Sequence, residues 1–135
     1  MSSLEGLRVL IVEDEAMIAM LAEDMLDMAG CQVAGVAASL DAGREAVARD
    51  DHDLVLLDVN LNGEHSTPLA DQLKERGTPF IFTTGYGADG VDAAHTDVPV
   101  LAKPYVLTDL ERAIGERMAQ AGTSSITSTS DSNRG

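Results

Sequence analysis

Short, nearly unbroken apolar runs alternate along this chain with longer stretches in which apolar residues recur every three or four positions. The runs are Arg8–Val12, Gln32–Ala37, Asp53–Leu57, Pro79–Thr83 and Val98–Ala102. They are rich in Val, Ile, Leu and Phe, the pattern of strands covered on both faces. Their starts lie roughly 20–26 residues apart, the length of a strand–helix unit with its loops. Helix-start signals fill the intervals. Asp14 is placed to cap a helix over 15–29 that ends at Gly30, Ser39 to cap a second, and Thr67-Pro68 to open a third with proline in its first turn. The last helix opens on the capping-box pattern Thr108-Asp109-Leu110-Glu111. A further helix is expected over Ala88–Ala94, where Gly90 and the flanking aspartates lower helix propensity, so that it should be short or mobile.

Five strands alternating with five helices predict an α/β fold, a doubly wound five-stranded parallel sheet covered on both faces. Right-handed crossovers leave two common strand orders, and five strands fit the flavodoxin-like order 2-1-3-4-5. The folded domain is expected over 1–120. Residues 121–135 are nearly all small and polar and are predicted to be a disordered Ser/Thr-rich tail.

Composition narrows the function. Nine basic residues against 23 acidic ones give a formal charge of -14. Such a field repels nucleic acid and anionic lipid, so neither is an expected partner. No apolar run approaches the ~20 residues of a membrane span, and no secretory signal is read at the start, so a cytoplasmic protein is expected. Cys31, the only cysteine, reads as a small buried hydrophobe. His52, His65 and His95 lack ligand spacing and read as surface histidines.

In a doubly wound sheet, ligands bind at the carboxyl ends of the strands where the order reverses. The strand ends read Val12-Glu13-Asp14-Glu15, Leu56-Leu57-Asp58-Val59-Asn60, Thr83-Thr84-Gly85 and Ala102-Lys103-Pro104. The reversal brings Glu13, Asp14 and Asp58 together, with Thr84 and Lys103 on neighbouring strands. Three carboxylates so close raise one another's pKa values, and a hard divalent cation, Mg2+, is the natural remedy. Asp58 then reads as a nucleophile toward phosphorus, Lys103 as a cation for the equatorial oxygens, and Thr84 as a hydroxyl for the product phosphoryl. Each residue alone has an ordinary explanation as a turn, cap or strand end. The ordered set on four strand ends does not.

That set resembles the signature of response-regulator receiver domains of two-component systems, over about residues 6–120. The resemblance implies Glu13 and Asp14 as the acidic pair, Asp58 as phosphoacceptor and the Asn60 main-chain carbonyl as a further Mg2+ ligand. It implies Thr84 as the switch hydroxyl, Lys103 as the phosphate-binding cation and a cis Lys103–Pro104 peptide bond. Val100 stands where standard receivers carry an aromatic switch residue. Phe82-Thr83-Thr84-Gly85-Tyr86 instead resembles the Phe-x-Thr-Gly-Tyr ("FAT GUY") subset, often single-domain proteins, which would give Tyr86 the aromatic role. The implied function is a signalling phosphoacceptor rather than an enzyme. It would take its phosphoryl group from a histidine kinase or histidine phosphotransfer protein. The fourth strand, fourth helix, fifth strand and fifth helix would form the face read by a downstream regulatory protein. A monomer or weak dimer is expected, and a stress-response circuit is suggested by the subset.

Two other readings remain at this point. The protein could serve as a phosphorelay intermediate or a phosphate sink. More remotely, a haloacid-dehalogenase-like phosphatase also uses Asp, Thr/Ser, Lys and Mg2+, but places its nucleophile on the first core strand. In the first helix, Ile18, Leu21 and Met25 have core spacing, and Met17 and Met20 fall partly off that face, where they could meet a partner helix bundle.

Overall fold

The computed structural model describes residues 4–85 and 98–132, with side chains as far as residue 120. Its elements are β1 (Arg8–Val12), α1 (Ala16–Met28), β2 (Gln32–Ala37), α2 (Leu40–Arg49), β3 (Leu54–Asp58), β4 (Asn60–Leu61), β5 (Glu64–His65), α3 (Thr67–Arg76), β6 (Phe80–Thr84), β7 (Val100–Ala102) and α4 (Leu107–Ser132). The main sheet is parallel with order β2-β1-β3-β6-β7. In terms of the five core strands this is the expected 2-1-3-4-5. The additional pair, β4 and β5, is a small antiparallel hairpin just after β3.

Side chains alternate across the strands, and this explains the unbroken apolar runs. Val9 and Ile11 of β1, Leu54 and Leu56 of β3, and Ile81 of β6 face one core with Ala19, Ala22 and Leu26 of α1 and Leu110 and Ile114 of α4. Leu10, Val12, Val55, Leu57, Phe80 and Phe82 face a second core with Val47 of α2 and Leu69 and Leu73 of α3. Both faces are thus dry, and every residue of β3 and β6 is buried. β2 departs from this pattern. It is an edge strand, with Gln32 and Val36 exposed and only Ala37 fully buried. A close approach sets one glycine. A Cβ on Gly43 of α2 would lie 2.8 Å from Leu69 Cδ2 and 3.3 Å from Val12 Cγ1, so α2 sits where a side chain would overpack.

The helix starts follow the sequence in part. Ser39 caps α2, its hydroxyl accepting from the Ala42 N–H at 3.1 Å, and Pro68 lies in the first turn of α3. Asp14 does not cap α1. The cap position is Glu15, and the Asp14 carboxylate is engaged elsewhere. α4 begins at Leu107, one residue before the Thr108 expected as its cap, because the Leu110 N–H already pairs with the Val106 carbonyl. Its backbone runs helical to Ser132, beyond residue 120 where the folded part was expected to end.

The buried face of α1 is Ala19, Ala22 and Leu26 with Met25 packed beside them; Leu21 is exposed and Ile18 half-buried. The small alanines let the helix sit close to the sheet, which rotates the expected Ile18–Leu21 face outward. Met17, Met20 and Met28 are exposed. His65 is exposed as expected, but His52 is buried. Exposure alternates from Asp51 to Asp53 behind the left-handed Asp50 that ends α2, and His52 takes the inward position. The expected helix over Ala88–Ala94, with Tyr86 and His95, lies outside the described residues.

Candidate functional site

Each strand delivers its last residues to the same end of the sheet. β1 and β3 run side by side in register from Val9 against Leu54 to Val12 against Leu57. Glu13 therefore leaves β1 level with Asp58, the last residue of β3. β6 continues the ladder, with Asp58 opposite Thr83, and the Lys103 N–H donates to the Thr84 carbonyl at 2.8 Å. The chain reverses its order between β1 and β3, so no crossover covers this end.

Glu13 and Asp58 are buried and Asp14 half-buried, and each offers a carboxylate oxygen within 4.8 Å of the others. Lys103 Nζ sits among them, donating to Asp58 Oδ2 at 3.0 Å, Glu13 Oε1 at 3.2 Å and Glu15 Oε1 at 3.3 Å. The Asn60 N–H donates to Asp58 Oδ1 at 3.2 Å, so both oxygens of Asp58 are held. The Glu15 N–H donates to Glu13 Oε2 at 3.1 Å. The Lys103–Pro104 peptide bond is cis. Asp14, Glu15, Asp58, Asn60, Thr84 and Lys103 line an open cleft above this cluster.

The electrostatics follow from crowding. Burial first, and then the hydrogen bond and charge of Asp58, push the Glu13 carboxyl up to about 7. Burial would lower the Lys103 ammonium, but its hydrogen bond to Asp58 and the charges of Asp58 and Glu13 outweigh this and hold it above its ordinary value. Tyr105 lies near enough that burial, followed by the Glu13 charge, pushes its hydroxyl up to about 12. One ammonium thus faces more carboxyl groups than it can neutralise. Hard carboxylate oxygens of Glu13, Asp14 and Asp58 at this spacing fit Mg2+.

The sequence-predicted residues Glu13, Asp14, Asp58, Asn60, Thr84 and Lys103 are therefore assembled at one end of the sheet, and Tyr86 is outside the described residues. Three participants were not anticipated. Glu15 pairs with Lys103, and the third acid of Glu13-Asp14-Glu15 was its signal. Tyr105 is the buried residue after Lys103-Pro104. Asn62 donates its N–H to Asp14 Oδ2 at 3.1 Å, and its signal was the turn-forming Asn62-Gly63 pair.

The family model of the response regulator receiver domain matches residues 9–115. The chain belongs to that family. Among solved structures, this receiver is 38% identical to SdrG from Sphingomonas melonis Fr1, with a TM-score of 0.72, covering 90% of this chain and 98% of SdrG. A structure of the BeF3-activated conformation of SdrG from Pseudomonas melonis Fr1 is likewise 38% identical, with a TM-score of 0.71 over 85% of this chain and 97% of that one. The PhyR stress response regulator is 29% identical, with a TM-score of 0.73, the match covering 86% of this chain and 46% of PhyR. The sensory transduction protein LytR of Staphylococcus haemolyticus is 29% identical over 122 residues, 87% of this chain and 48% of LytR. The chain spans about half the length of the curated relatives it matches. No helix among the described residues is long and apolar enough to cross a membrane.

Proposed function

We propose that this receiver accepts a phosphoryl group on Asp58 from the phosphohistidine of a histidine kinase or histidine phosphotransfer protein. The observation that carries this reading is the contact of Lys103 Nζ with Asp58 Oδ2 at 3.0 Å inside a cluster of three carboxylates. An oxygen of Asp58 forms the new bond to phosphorus as the phosphorus–nitrogen bond of the donor breaks, and the freed imidazole nitrogen takes a proton. The Asn60 N–H and Lys103 fix the carboxylate plane before the donor arrives, which removes a reorganisation cost from the step. Lys103 then turns its charge to the phosphoryl oxygens, and the Thr84 hydroxyl bonds the product. Glu13, Asp14, Asp58 and the Asn60 carbonyl would hold Mg2+. When bound, this ion offsets the charge gathered at the transferring group.

The phosphorylated state is read at the face of β6, β7, α4 and the segment between β6 and β7. Val100 on β7 is small and packs against the second core, so a strand ring does not couple to Thr84 there. Phe82-Thr83-Thr84-Gly85-Tyr86 supports membership of the Phe-x-Thr-Gly-Tyr subset, with Tyr86 in the aromatic role. The exposed Met17 and Met20 at the start of α1, beside the site, suit a phosphodonor helix bundle. The likeness to the PhyR stress response regulator supports a signalling role in a stress response. On this reading the protein acts in the cytoplasm on a downstream regulatory protein, as a monomer or weak dimer. Apart from its own phosphorylation and dephosphorylation, the protein turns over no substrate.

Intact mass after incubation with acetyl phosphate tests this reading. A single Mg2+-dependent phosphoryl adduct is expected, labile to hydroxylamine and absent from Asp58→Asn. No adduct with either acetyl phosphate or a phosphorylated donor protein would overturn it. Phosphoryl lifetime and back-transfer to the kinase separate a switch from a relay intermediate or sink.

A further inference from the structure

The hairpin that follows Asp58 has a feature the phosphoacceptor chemistry does not by itself require. Each of the three clustered carboxylates accepts one main-chain N–H. Glu13 takes it from Glu15 and Asp58 from Asn60, each two residues further along its own chain. Asp14 takes it from Asn62, 48 residues away. Glu13 and Asp58 are therefore oriented locally, whereas Asp14 depends on a separate piece of structure being in place.

That piece is rigidly built. Leu61 is fully buried in the second core and anchors β4. The Ser66 N–H donates to the Val59 carbonyl at 2.8 Å and closes the base of the hairpin. At the tip, Asn62 and Gly63 have φ of 53° and 84°, the left-handed pair of a two-residue hairpin turn. The Gly63 N–H donates to the Asn60 side-chain oxygen at 2.8 Å. The turn thus aims the Asn62 N–H at Asp14 and, in the same hairpin, fixes the main chain at Asn60.

We infer that Asn62 is a positioning residue for the cation site, its main-chain N–H orienting the Asp14 carboxylate by way of the Asn62-Gly63 turn. This rests on reading Glu13, Asp14 and Asp58 as the Mg2+ ligands. Bonds of this kind to a ligating carboxylate set which oxygen and which direction it offers, and their loss typically costs about 10–100-fold in metal affinity. The hairpin also makes the site a bridge between β3 and the start of α1.

Gly63 gives access to the turn without supplying a metal ligand, its N–H bonding the Asn60 side chain rather than the Asn60 carbonyl. A Cβ there meets no atom within 4 Å, so a side chain acts only through the backbone, which L residues rarely adopt at this φ. Gly77, at the far end of α3, has φ of 73° and equally open surroundings, and serves as a control for backbone strain alone. Mg2+ binding by titration calorimetry at pH 8 is compared across the native protein, Gly63→Val, Gly63→Asn and Gly77→Val, with folding checked by circular dichroism. Gly63→Val is expected to bind Mg2+ about 10-fold or more weakly. Gly63→Asn, which tolerates the left-handed region, and Gly77→Val are expected to bind within about twofold of native. Native affinity in Gly63→Val, or equal losses in Gly63→Val and Gly77→Val, would overturn the inference while leaving an Mg2+-dependent Asp58 adduct of the native protein untouched. A native protein that binds no Mg2+ would remove both the positioning role and the ligand assignment beneath it.

Discussion

The two ends of the parallel sheet carry ion pairs built from the same kinds of group, and they behave oppositely. At the amino end, Arg8 of β1 meets Asp53 just before β3. One guanidinium directly contacts one carboxylate, with Arg8 Nη2 donating to Asp53 Oδ1 at 3.1 Å and the Arg8 main-chain N–H to Oδ2 at 2.9 Å, while Asp51 and Asp50 act on it only through their charge. Both side chains are well exposed, and the contact is a single exposed pair. At the carboxyl end of the same two strands, Glu13 and Asp58 are buried, Asp14 and Glu15 crowd beside them, and Lys103 is the cation placed among them. The amino-end pair is complete in itself, whereas the carboxyl-end cluster is left wanting positive charge where a ligand can enter. A closed structural pair and an open reactive one thus differ by stoichiometry and burial rather than by residue type.

Removing the cation from the carboxyl end should widen the contrast. Lys103→Met leaves buried carboxylates unpaired and is expected to cost about 3 kcal/mol at pH 8, read by urea denaturation in EDTA. If Asp58 is the phosphoacceptor as proposed, the same change should slow acetyl-phosphate labelling about 100-fold or more, because Lys103 touches its carboxylate. Undiminished labelling would mean that the lysine is only a structural counter-ion. The stability loss should shrink at pH 5, where Glu13 carries a proton.

The ends should also titrate with opposite signs. Glu13 is pushed up to about 7 in the folded chain, above its ordinary value of 4.5. A folded-state pKa raised in this way means that the folded protein holds the proton more tightly. Its contribution to stability is therefore full below the unfolded value and is lost as pH rises toward about 7. In EDTA, stability should fall across this window, and Glu13→Gln should flatten the fall. Mg2+ needs the deprotonated form, so Mg2+ affinity should climb with pH below about 7 and level off above it, measured by calorimetry. Affinity independent of pH between 5 and 7 would mean that Glu13 is not displaced from its proton by the ion.

How much of this was legible in the sequence also differs between the ends of the strands and the loops beyond them. The bounds of β1 and β2 follow from apolar pattern alone, whereas β3 and β6 begin and end one residue later than the apolar runs, their last residues held by the Asp58–Thr83 and Thr84–Ala102 pairs, and β7 begins two residues later. Glu13, Asp14, Asp58, Thr84 and Lys103 could be placed together because a doubly wound topology fixes which strand ends meet. Asn62 could not, since its bond to Asp14 depends on a hairpin anchored by Leu61 in the core. The outward turn of Leu21 was equally hidden, because Ala19 and Ala22 win the core face by being small, which a hydrophobicity pattern ranks the wrong way round. His52, read as surface because the histidines lack ligand spacing, is instead carried inward after the left-handed Asp50.

The smallest expected effect is at the amino end. The Arg8 guanidinium, by hydrogen bond and charge, holds the Asp53 carboxyl below its ordinary value of 3.8. A lowered pKa contributes stability that is present above the ordinary value and lost as pH falls through the folded one. Asp53→Asn should therefore lower the unfolding midpoint slightly at pH 7, leave Mg2+ affinity and labelling unchanged, and flatten the acid limb below about pH 4. Because both side chains are exposed, the difference from native should shrink further in 1 M salt, where charges more than ~3 Å apart are screened. A large, salt-insensitive loss at pH 7 would mean that the amino end also stores buried, uncompensated charge, and the contrast between a closed and an open end of the sheet would then fail.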